Sequence, residues 1–279
     1  MRRSSSRSPR TGLALAILLA APGPATAQGA PSLARLSLVE SRVERARTGA
    51  PWQAAAEGGP LDIGEAVRTG PEAVARVELP WMALTLGPGS TLRFPEAFLL
   101  SVSLESGRAL VEAQDREALK IVTGEAEVRG LGRAVVRREG RATLVSCLAG
   151  RFVVEGGPAA VVLTAGRGTV VAAGRAPSPP EAVPTPPSEG LWPGADPVYV
   201  APGEAVELRW KGGAPAYQLE LLPVGSEVVL LQRDVAAPPA RIAVPWEGAF
   251  RWRVSARDRR GLEGVPSADG LIAVDALPR

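Results

Sequence analysis

Short runs in which hydrophobic and polar residues alternate recur along most of this chain, and turn-forming residues separate them. The clearest stretch is residues 61–94, where Arg68-Thr69-Gly70 and Gly87-Pro88-Gly89-Ser90 interrupt alternating runs such as residues 75–79. A period of two is the pattern of a half-buried strand, and glycine, proline and serine supply tight turns between strands. The recurrence of this pattern predicts an all-β protein. Residues 36–45, with Leu36, Leu38 and, after a break, Val43 as apolar positions, predict a strand before this stretch.

A second series of strand-length runs lies in the last quarter of the chain, at a spacing typical of a β-sandwich. These runs are residues 206–210, 217–221, 227–231, 241–244 and 250–254. Their alternation places Trp210 and Trp252 on core-facing positions. The same phase predicts that Arg251, Arg253 and Ser255 face solvent.

Proline marks the segment between the two series. Residues 176–202 contain nine prolines. Proline cannot donate a ladder hydrogen bond and stiffens the chain toward polyproline II, so residues 175–202 are predicted to form a semi-rigid linker.

The N-terminus is predicted to be an export signal. Residues 1–27 contain four arginines and no acidic residue, an apolar run over 13–21, and the small-residue site Ala25-Thr26-Ala27 before Gln28. The apolar run is about half of the roughly 20 residues that a membrane-spanning helix needs. We therefore expect a Sec-type signal peptide, no transmembrane span after its cleavage, and a location in the periplasm or at the cell surface of a bacterium.

The charge of the chain changes when this signal is set aside. The formal net charge of +3 becomes −1, because 28 basic residues then face 29 acidic ones. No basic face with interleaved aromatic residues is apparent in the sequence, so we expect no nucleic-acid partner.

The amino-acid composition also excludes most kinds of catalytic site. The chain has no histidine and a single cysteine, which excludes histidine-based triads, histidine metal sites and an internal disulfide. Cys147 lies in a strand-like run and is predicted to be a small buried hydrophobic residue. The carboxylate pairs Asp62 with Glu65 and Glu125 with Glu127 are predicted to lie on turns or on solvent-facing strand positions. We expect no enzyme activity, no cofactor and no metal.

The first β region resembles the periplasmic domain of the FecR family, which has a strand, a Trp-containing turn and then Leu-x-x-Gly-Asp-x-Ile-x-Thr-Gly. The matching residues are Leu61, Gly64, Glu65, Val67, Thr69 and Gly70, followed by Ala75, Val77, Leu79, Ser90, Leu92 and Phe94. Residues 121–130 are similar to the family's Val-x-Thr-Pro-x-Ala-x-Val-x-Gly. The chain departs from the pattern at Glu65 (usually Asp), at Gly124 (usually Pro) and at Ser41, where a glycine usually turns the first strand.

The last region resembles a fibronectin type III or related immunoglobulin-like module, from its aromatic-Arg-Trp-Arg-Val strand at 250–254 and the Gly and Ser positions at 261, 264 and 267. The two resemblances imply a FecR-like β-sandwich or β-roll over 33–174, the proline-rich linker over 175–202, and an immunoglobulin-like or fibronectin III-like β-sandwich over 203–276.

These features favour a non-catalytic exported protein that acts as a binding or scaffold module in the cell envelope. Its expected partner is a protein or an envelope polysaccharide. The alternative is an envelope-sensing regulator of a sigma factor, the anti-sigma-like signal transduction that the FecR resemblance implies. That role needs a cytoplasmic segment and a spanning helix, which the twelve residues before the short apolar run are not expected to supply.

Tryptophans are the remaining candidates for partner binding, because exposed tryptophan is enriched at interfaces. Trp81 follows Pro80 at a strand turn and is expected to be exposed. Trp52 and Trp192 are the other two predicted partner-binding residues. For Trp192, packing of the linker onto the C-terminal domain is the alternative.

N-terminal sequencing of the exported protein checks the signal prediction. We expect the mature chain to begin at Gln28, because signal peptidase cleaves after small residues such as Ala25 and Ala27. A protein that keeps residues 1–27 and stays in the membrane fraction would instead support the sensor alternative.

Overall fold

The computed structural model describes residues 34–95, 101–114 and 120–275. The predicted signal peptide lies outside the described residues. Every regular element within them is a β-strand, so the prediction of an all-β protein is confirmed. The described residues all belong to one compact unit. Among them we find no helix with the length and apolar character needed to cross a membrane.

Fifteen strands form one continuous hydrogen-bonded sheet, which we call the N-terminal body. The strands are β1 (Ala34–Glu40), β2 (Val43–Arg47), β3 (Gln53–Ala54), β4 (Pro60–Leu61), β5 (Glu65–Thr69), β6 (Val74–Leu79), β7 (Met82–Leu86), β8 (Thr91–Arg93), β9 (Ser101–Ala113), β10 (Lys120–Val122), β11 (Glu127–Glu139), β12 (Ala142–Gly156), β13 (Ala159–Thr164), β14 (Arg167–Ala172) and β15 (Glu181–Ala182).

The sheet of the N-terminal body encloses a single hydrophobic core. Its central path runs β15-β14-β12-β11-β10-β9-β7-β6-β1-β4, and the long strand β9 also pairs with β8 and β11. Apolar residues from β14 through to β4 meet inside, with Phe94 and Phe152 among the largest fully buried side chains. The alternation in residues 61–94 therefore points its apolar positions into one shared interior.

The first predicted strand is interrupted. Residues 36–45 form β1 and β2 rather than one strand, and the break lies at Ser41, whose φ is +62°. A non-glycine residue rarely adopts this left-handed conformation, so the chain turns sharply here. The position is the one at which the FecR pattern has a glycine.

Seven further strands form what we call the C-terminal body. They are β16 (Val198–Val200), β17 (Ala205–Leu208), β18 (Ala216–Pro223), β19 (Leu231–Val235), β20 (Ala240–Ala243), β21 (Gly248–Arg257) and β22 (Gly270–Val274). A five-stranded sheet, β16-β22-β21-β18-β19, and the two-stranded sheet β17-β20 share a second core. The prediction of a second all-β region is thus confirmed.

Tryptophan dominates the second core, as the strand phase predicts. Trp252 is fully buried and Trp210 is 4% exposed. The Trp210 ring meets Tyr217 edge-on with centroids 5.3 Å apart and lies 6.2 Å from Trp252. The indole Nε1 of Trp252 donates to the carbonyl of Pro193 at 3.0 Å, so its polar atom is satisfied inside the core.

The prediction of a strand at residues 227–231 was wrong. These residues do not form a strand, and β19 begins only at Leu231. The hydroxyl of Ser226 accepts a hydrogen bond from the Val228 amide at 3.0 Å, and this local bond keeps the segment in an irregular turn.

The proline-rich segment packs along the described surface instead of standing clear of it. Strand β15 pairs with β14, and Val183 is 8% exposed within the segment. Near its other end, the carbonyl of Pro193 accepts the bond from Trp252. The segment is therefore attached to both bodies.

Trp210→Ala and Trp252→Ala are each expected to lower the free energy of unfolding by about 3–5 kcal/mol, because each removes a large buried ring and leaves a cavity. Urea unfolding of the purified variants measures this. Trp81→Ala is the matched control, since its ring is 45% exposed and its loss should change little. Near-zero effects at both core positions would contradict the burial described above.

Candidate functional site

The two bodies meet at a tight loop of the C-terminal body, residues 258–264, which we call the interface loop. The Asp258 side chain shapes it, because Oδ1 accepts bonds from the amides of Arg260 and Leu262, each at 2.9 Å. The loop buries Leu262 completely and leaves Glu263 only 2% exposed. Asp258 thus fixes the loop in a shape that places one apolar side chain, Leu262, next to one acidic side chain, Glu263.

The N-terminal body is shaped to receive this loop. A Cβ at Gly168 would lie 3.0 Å from Leu262 Cδ2, so a glycine there leaves room for the leucine. The Glu263 amide donates to Ser146 Oγ at 3.1 Å. Backbone and side chain of the loop are therefore both engaged by β12 and β14.

Arg108 on β9 is the partner of Glu263. Its Nε and Nη2 donate to the two carboxylate oxygens of Glu263 at 2.8 and 2.6 Å. Arg108 is 4% exposed. Such a bidentate, charge-assisted pair is the strongest geometry available to these two groups, and here it joins the two bodies.

The backbone around Arg108 is held by close packing. Gly107 has φ +83°, and a Cβ on it would lie 2.5 Å from Ser90 Cα, so a larger residue does not fit. Ser90 Oγ donates to the Arg108 carbonyl at 3.0 Å and accepts from the Arg108 amide at 2.9 Å. The arginine therefore projects from a fixed position.

Glu220 on β18 completes the buried charge cluster, which we define as Arg108, Glu220, Arg253 and Glu263. Glu220 accepts bonds from Arg108 Nη2 at 3.2 Å, Arg253 Nε at 2.8 Å and Gln232 Nε2 at 3.0 Å. Burial disfavours its charge, but the two arginines more than offset burial and hold the pKa of Glu220 below its usual value. The cluster contains two cations and two anions, so it is balanced.

This cluster overturns the predicted solvent face of the 250–254 strand. Arg253 is 6% exposed and Ser255 2% exposed, while the Arg251 side chain retains 16%. The polar face of β21 is buried because it lies against the N-terminal body. Sequence reasoning also missed Arg108, Glu220 and Glu263, although a glutamate inside the apolar run 219–222 was a signal for a buried charge.

Two of the carboxylates predicted to lie on turns or on solvent-facing strand positions are buried as well. Glu65 is 2% exposed, and its oxygens accept from Arg45 Nη2 and from the Asp62 amide, each at 2.9 Å. The Glu125 side chain is 3% exposed and is held by Arg138 Nε at 3.0 Å. Each carboxylate has an arginine partner, which offsets the free-energy cost of burying its charge.

A cleft of about 590 Å³ opens beside the cluster, between the two bodies. The N-terminal body contributes Glu40, Ser41, Pro71, Glu72, Pro88, Gly107, Arg108, Arg137 and Glu139, and the C-terminal body contributes Gln218, Leu230, Leu231, Gln232, Arg233, Asp234, Ala243, Pro245 and Trp246. Both apolar and charged side chains line it. This mixture suits the binding of a polar chain or glycan better than a purely apolar ligand.

Most charges of the cleft are paired across it. Arg137 Nη2 donates to Asp234 Oδ2 at 3.2 Å, and Arg233 lies 3.8 Å from Glu72. Glu40 has no cationic partner among the described residues, and burial, assisted by nearby Glu57, raises the pKa of its carboxyl. Glu40 is thus the cleft carboxylate most open to a ligand donor.

The three tryptophans predicted to bind partners lie in three different parts of the fold. Trp81 is 45% exposed at the turn between β6 and β7. Trp192 is 44% exposed, and its ring lies 5.2 Å from the Arg209 guanidinium. Trp52 is half-buried before β3 and lines a smaller pocket of about 350 Å³. Their role in binding stays a prediction.

Cys147 is fully buried, as predicted, and burial raises the pKa of its thiol to about 11. Among the described residues, no three His, Cys, Asp or Glu side chains are grouped in a way that would hold a metal ion.

No protein-family model matches the chain, and no curated protein matches it. Two crystal structures of a "putative anti-sigma factor" from Parabacteroides distasonis are similar to it at 21% identity and a TM-score of 0.37, covering 42% of this chain and 59% of that one. The chain thus spans about three-fifths of their length. A crystal structure of domains of titin is similar at 13% identity and a TM-score of 0.25, covering 84% of this chain and 88% of that one. Likenesses at these TM-scores carry no argument about function.

Glu220 gives the cluster a defined pH dependence. In the folded chain the pKa of its carboxyl is below the ordinary value of 4.5. Its stabilising contribution is therefore present above pH 4.5 and is lost as pH falls through the folded pKa. We expect the difference in urea midpoint between wild type and Glu220→Gln to shrink as pH falls below 4.5. The control is Glu189→Gln, whose side chain is 74% exposed and which should follow wild type. Parallel curves for wild type and Glu220→Gln across the acid range would contradict the assignment.

Proposed function

We propose that this chain is a non-catalytic exported protein of the bacterial envelope that binds its partner in the cleft between two β bodies fixed to each other. The observation that carries the proposal is the buried bidentate pair of Arg108 and Glu263. It makes the C-terminal body a fixed wall of the cleft rather than a tethered module.

The physical reason is the cost of separating buried charges. Removing one partner of such a pair leaves an uncompensated charge and costs about 3–5 kcal/mol. Moving the two bodies apart breaks the Arg108 pair and withdraws Leu262 from its apolar contact at the same time. A cleft with fixed walls is preorganised, so less ordering free energy is lost when a partner binds.

The absence of catalysis is proposed from chemistry. The chain lacks histidine, the side chain that most often serves as a general base at neutral pH. The thiol of Cys147 is buried and its pKa is raised, so little thiolate forms at neutral pH. Export is proposed from residues 1–27.

A second candidate function is regulation of a sigma factor from the envelope. The resemblance of residues 33–174 to the FecR pattern favours it. The two proposals differ in the N-terminus, because the sensor keeps a membrane anchor and the binding protein loses its signal.

Unfolding followed by two probes tests the fixed arrangement. Cys147 reports on the N-terminal body through its reaction with a thiol reagent, and fluorescence of Trp210 and Trp252 reports mainly on the C-terminal body. We expect coincident urea midpoints in wild type and separate midpoints in Arg108→Met. Arg42→Gln, whose side chain is 76% exposed, should keep the midpoints coincident. Separate midpoints in wild type would refute the fixed arrangement.

Binding is tested with envelope fractions of the source bacterium. Trp246→Ala removes an indole from the cleft wall and should reduce co-sedimentation of the protein with those fractions at least tenfold. Val224→Ala is the control, because this exposed apolar residue of the C-terminal body lies outside the cleft, and it should bind like wild type. Equal binding by wild type and Trp246→Ala would rule out the cleft as the site.

A further inference from the structure

The smaller pocket on the N-terminal body shares no lining residue with the cleft. Its walls include Ala46, Arg47, Trp52, Ala66 and Arg93, and its volume is about 350 Å³. We call it the Trp52 pocket. This volume is at the lower end for ligand sites, which suits one ring-sized group.

Strand register builds the pocket from one row of side chains. Ala46 pairs with Ala66, and Ala66 pairs with Arg93. Gln53 pairs with Arg45, so continuing that register places Trp52 opposite Ala46. The row Trp52, Ala46, Ala66, Arg93 spans three strand spacings, or about 14 Å. Ala66 is 1% exposed, so Ala46 is the small residue that leaves open floor between the indole and the Arg93 guanidinium.

The indole is held in place from outside the pocket. The Arg68 guanidinium lies 4.3 Å from the Trp52 ring centroid, within cation–π distance. Arg68 Nε in turn donates to Glu44 Oε2 at 2.6 Å. Arg68 itself does not line the pocket, whereas Trp52 does.

The charge of the pocket wall is positive. Arg47 and Arg93 line it, and no acidic residue does. Arg93 is held by Glu105 at 2.5 Å. Arg47 is 67% exposed and lies 3.4 Å from Asp62 and 3.5 Å from Glu65. These distances exceed the about 2.7–2.9 Å of a strong charge-assisted bond, so Arg47 keeps donor capacity for an incoming anion.

We infer that the Trp52 pocket binds a carboxylated sugar ring, with the apolar C–H face of the ring on the indole and its carboxylate on Arg47. An acidic peptide would satisfy the arginine but would leave the open floor at Ala46 and the indole without a matching planar surface. The inference stands independently of the cleft proposed above, because it concerns the N-terminal body alone.

Isothermal titration with a galacturonic acid trisaccharide tests the inference on the exported chain. We expect saturable binding that weakens with added salt, since the carboxylate pairs with an exposed cation. Maltotriose, a neutral trisaccharide, should bind at least tenfold more weakly. Trp52→Ala and Arg47→Gln should each weaken binding of the acidic trisaccharide at least tenfold.

Ala46→Leu keeps the tryptophan and both arginines and fills the floor of the pocket, so it should also weaken binding at least tenfold even if Trp52→Ala fails to fold. Arg241→Gln is the matched control, because this arginine of the C-terminal body has a side chain that is 75% exposed and does not line the pocket, and it should bind within twofold of wild type. Absence of binding at about 1 mM trisaccharide, equal binding by all variants, or preferential binding of a hexaglutamate peptide would each overturn the inference.

Discussion

An ion pair removed from water joins the two halves of this protein. Arg108 projects from a β9 backbone that Ser90 fixes, and it meets both oxygens of Glu263 at the end of a loop that Asp258 shapes. The pair stabilises the fold because it is bidentate and because Glu220 and Arg253 balance its charge. The burial of β18 and β21 on both faces, the seat of Leu262 and the fixed wall of the cleft all depend on this contact.

The sequence alone predicts most of the strands and which of their residues face the two cores. Alternation predicts that Trp210 and Trp252 face the core, a strand-like run predicts burial of Cys147, and each of the three is buried. It failed where a second surface covers a polar face, because a period of two tells which side chains share a face but not what lies against that face. For this reason, the alternation predicts solvent exposure for Arg253 and Ser255, which are buried.

The charged residues of the site were the least predictable. Arginine and glutamate are mostly exposed in proteins, and each becomes buried only when a partner distant in sequence is brought to it. Arg108 and Glu263 are 155 positions apart, and no local spacing marks them as a pair. The Trp52 pocket is an intermediate case, since the tryptophan stood out in the sequence while the alanine floor emerges only from the register of four strands.

The single cysteine has a consequence for the proposed location of the protein outside the cytoplasm. An unpaired thiol in an oxidising compartment invites mixed disulfides and covalent dimers, and the rate depends on access and on the thiolate fraction. Strands β11, β12 and β14 enclose Cys147 in the middle of the first core, where both quantities are small. Folding of the N-terminal body therefore protects the Cys147 thiol from oxidation. The thiol is vulnerable in the interval between translocation of the chain and closure of that sheet.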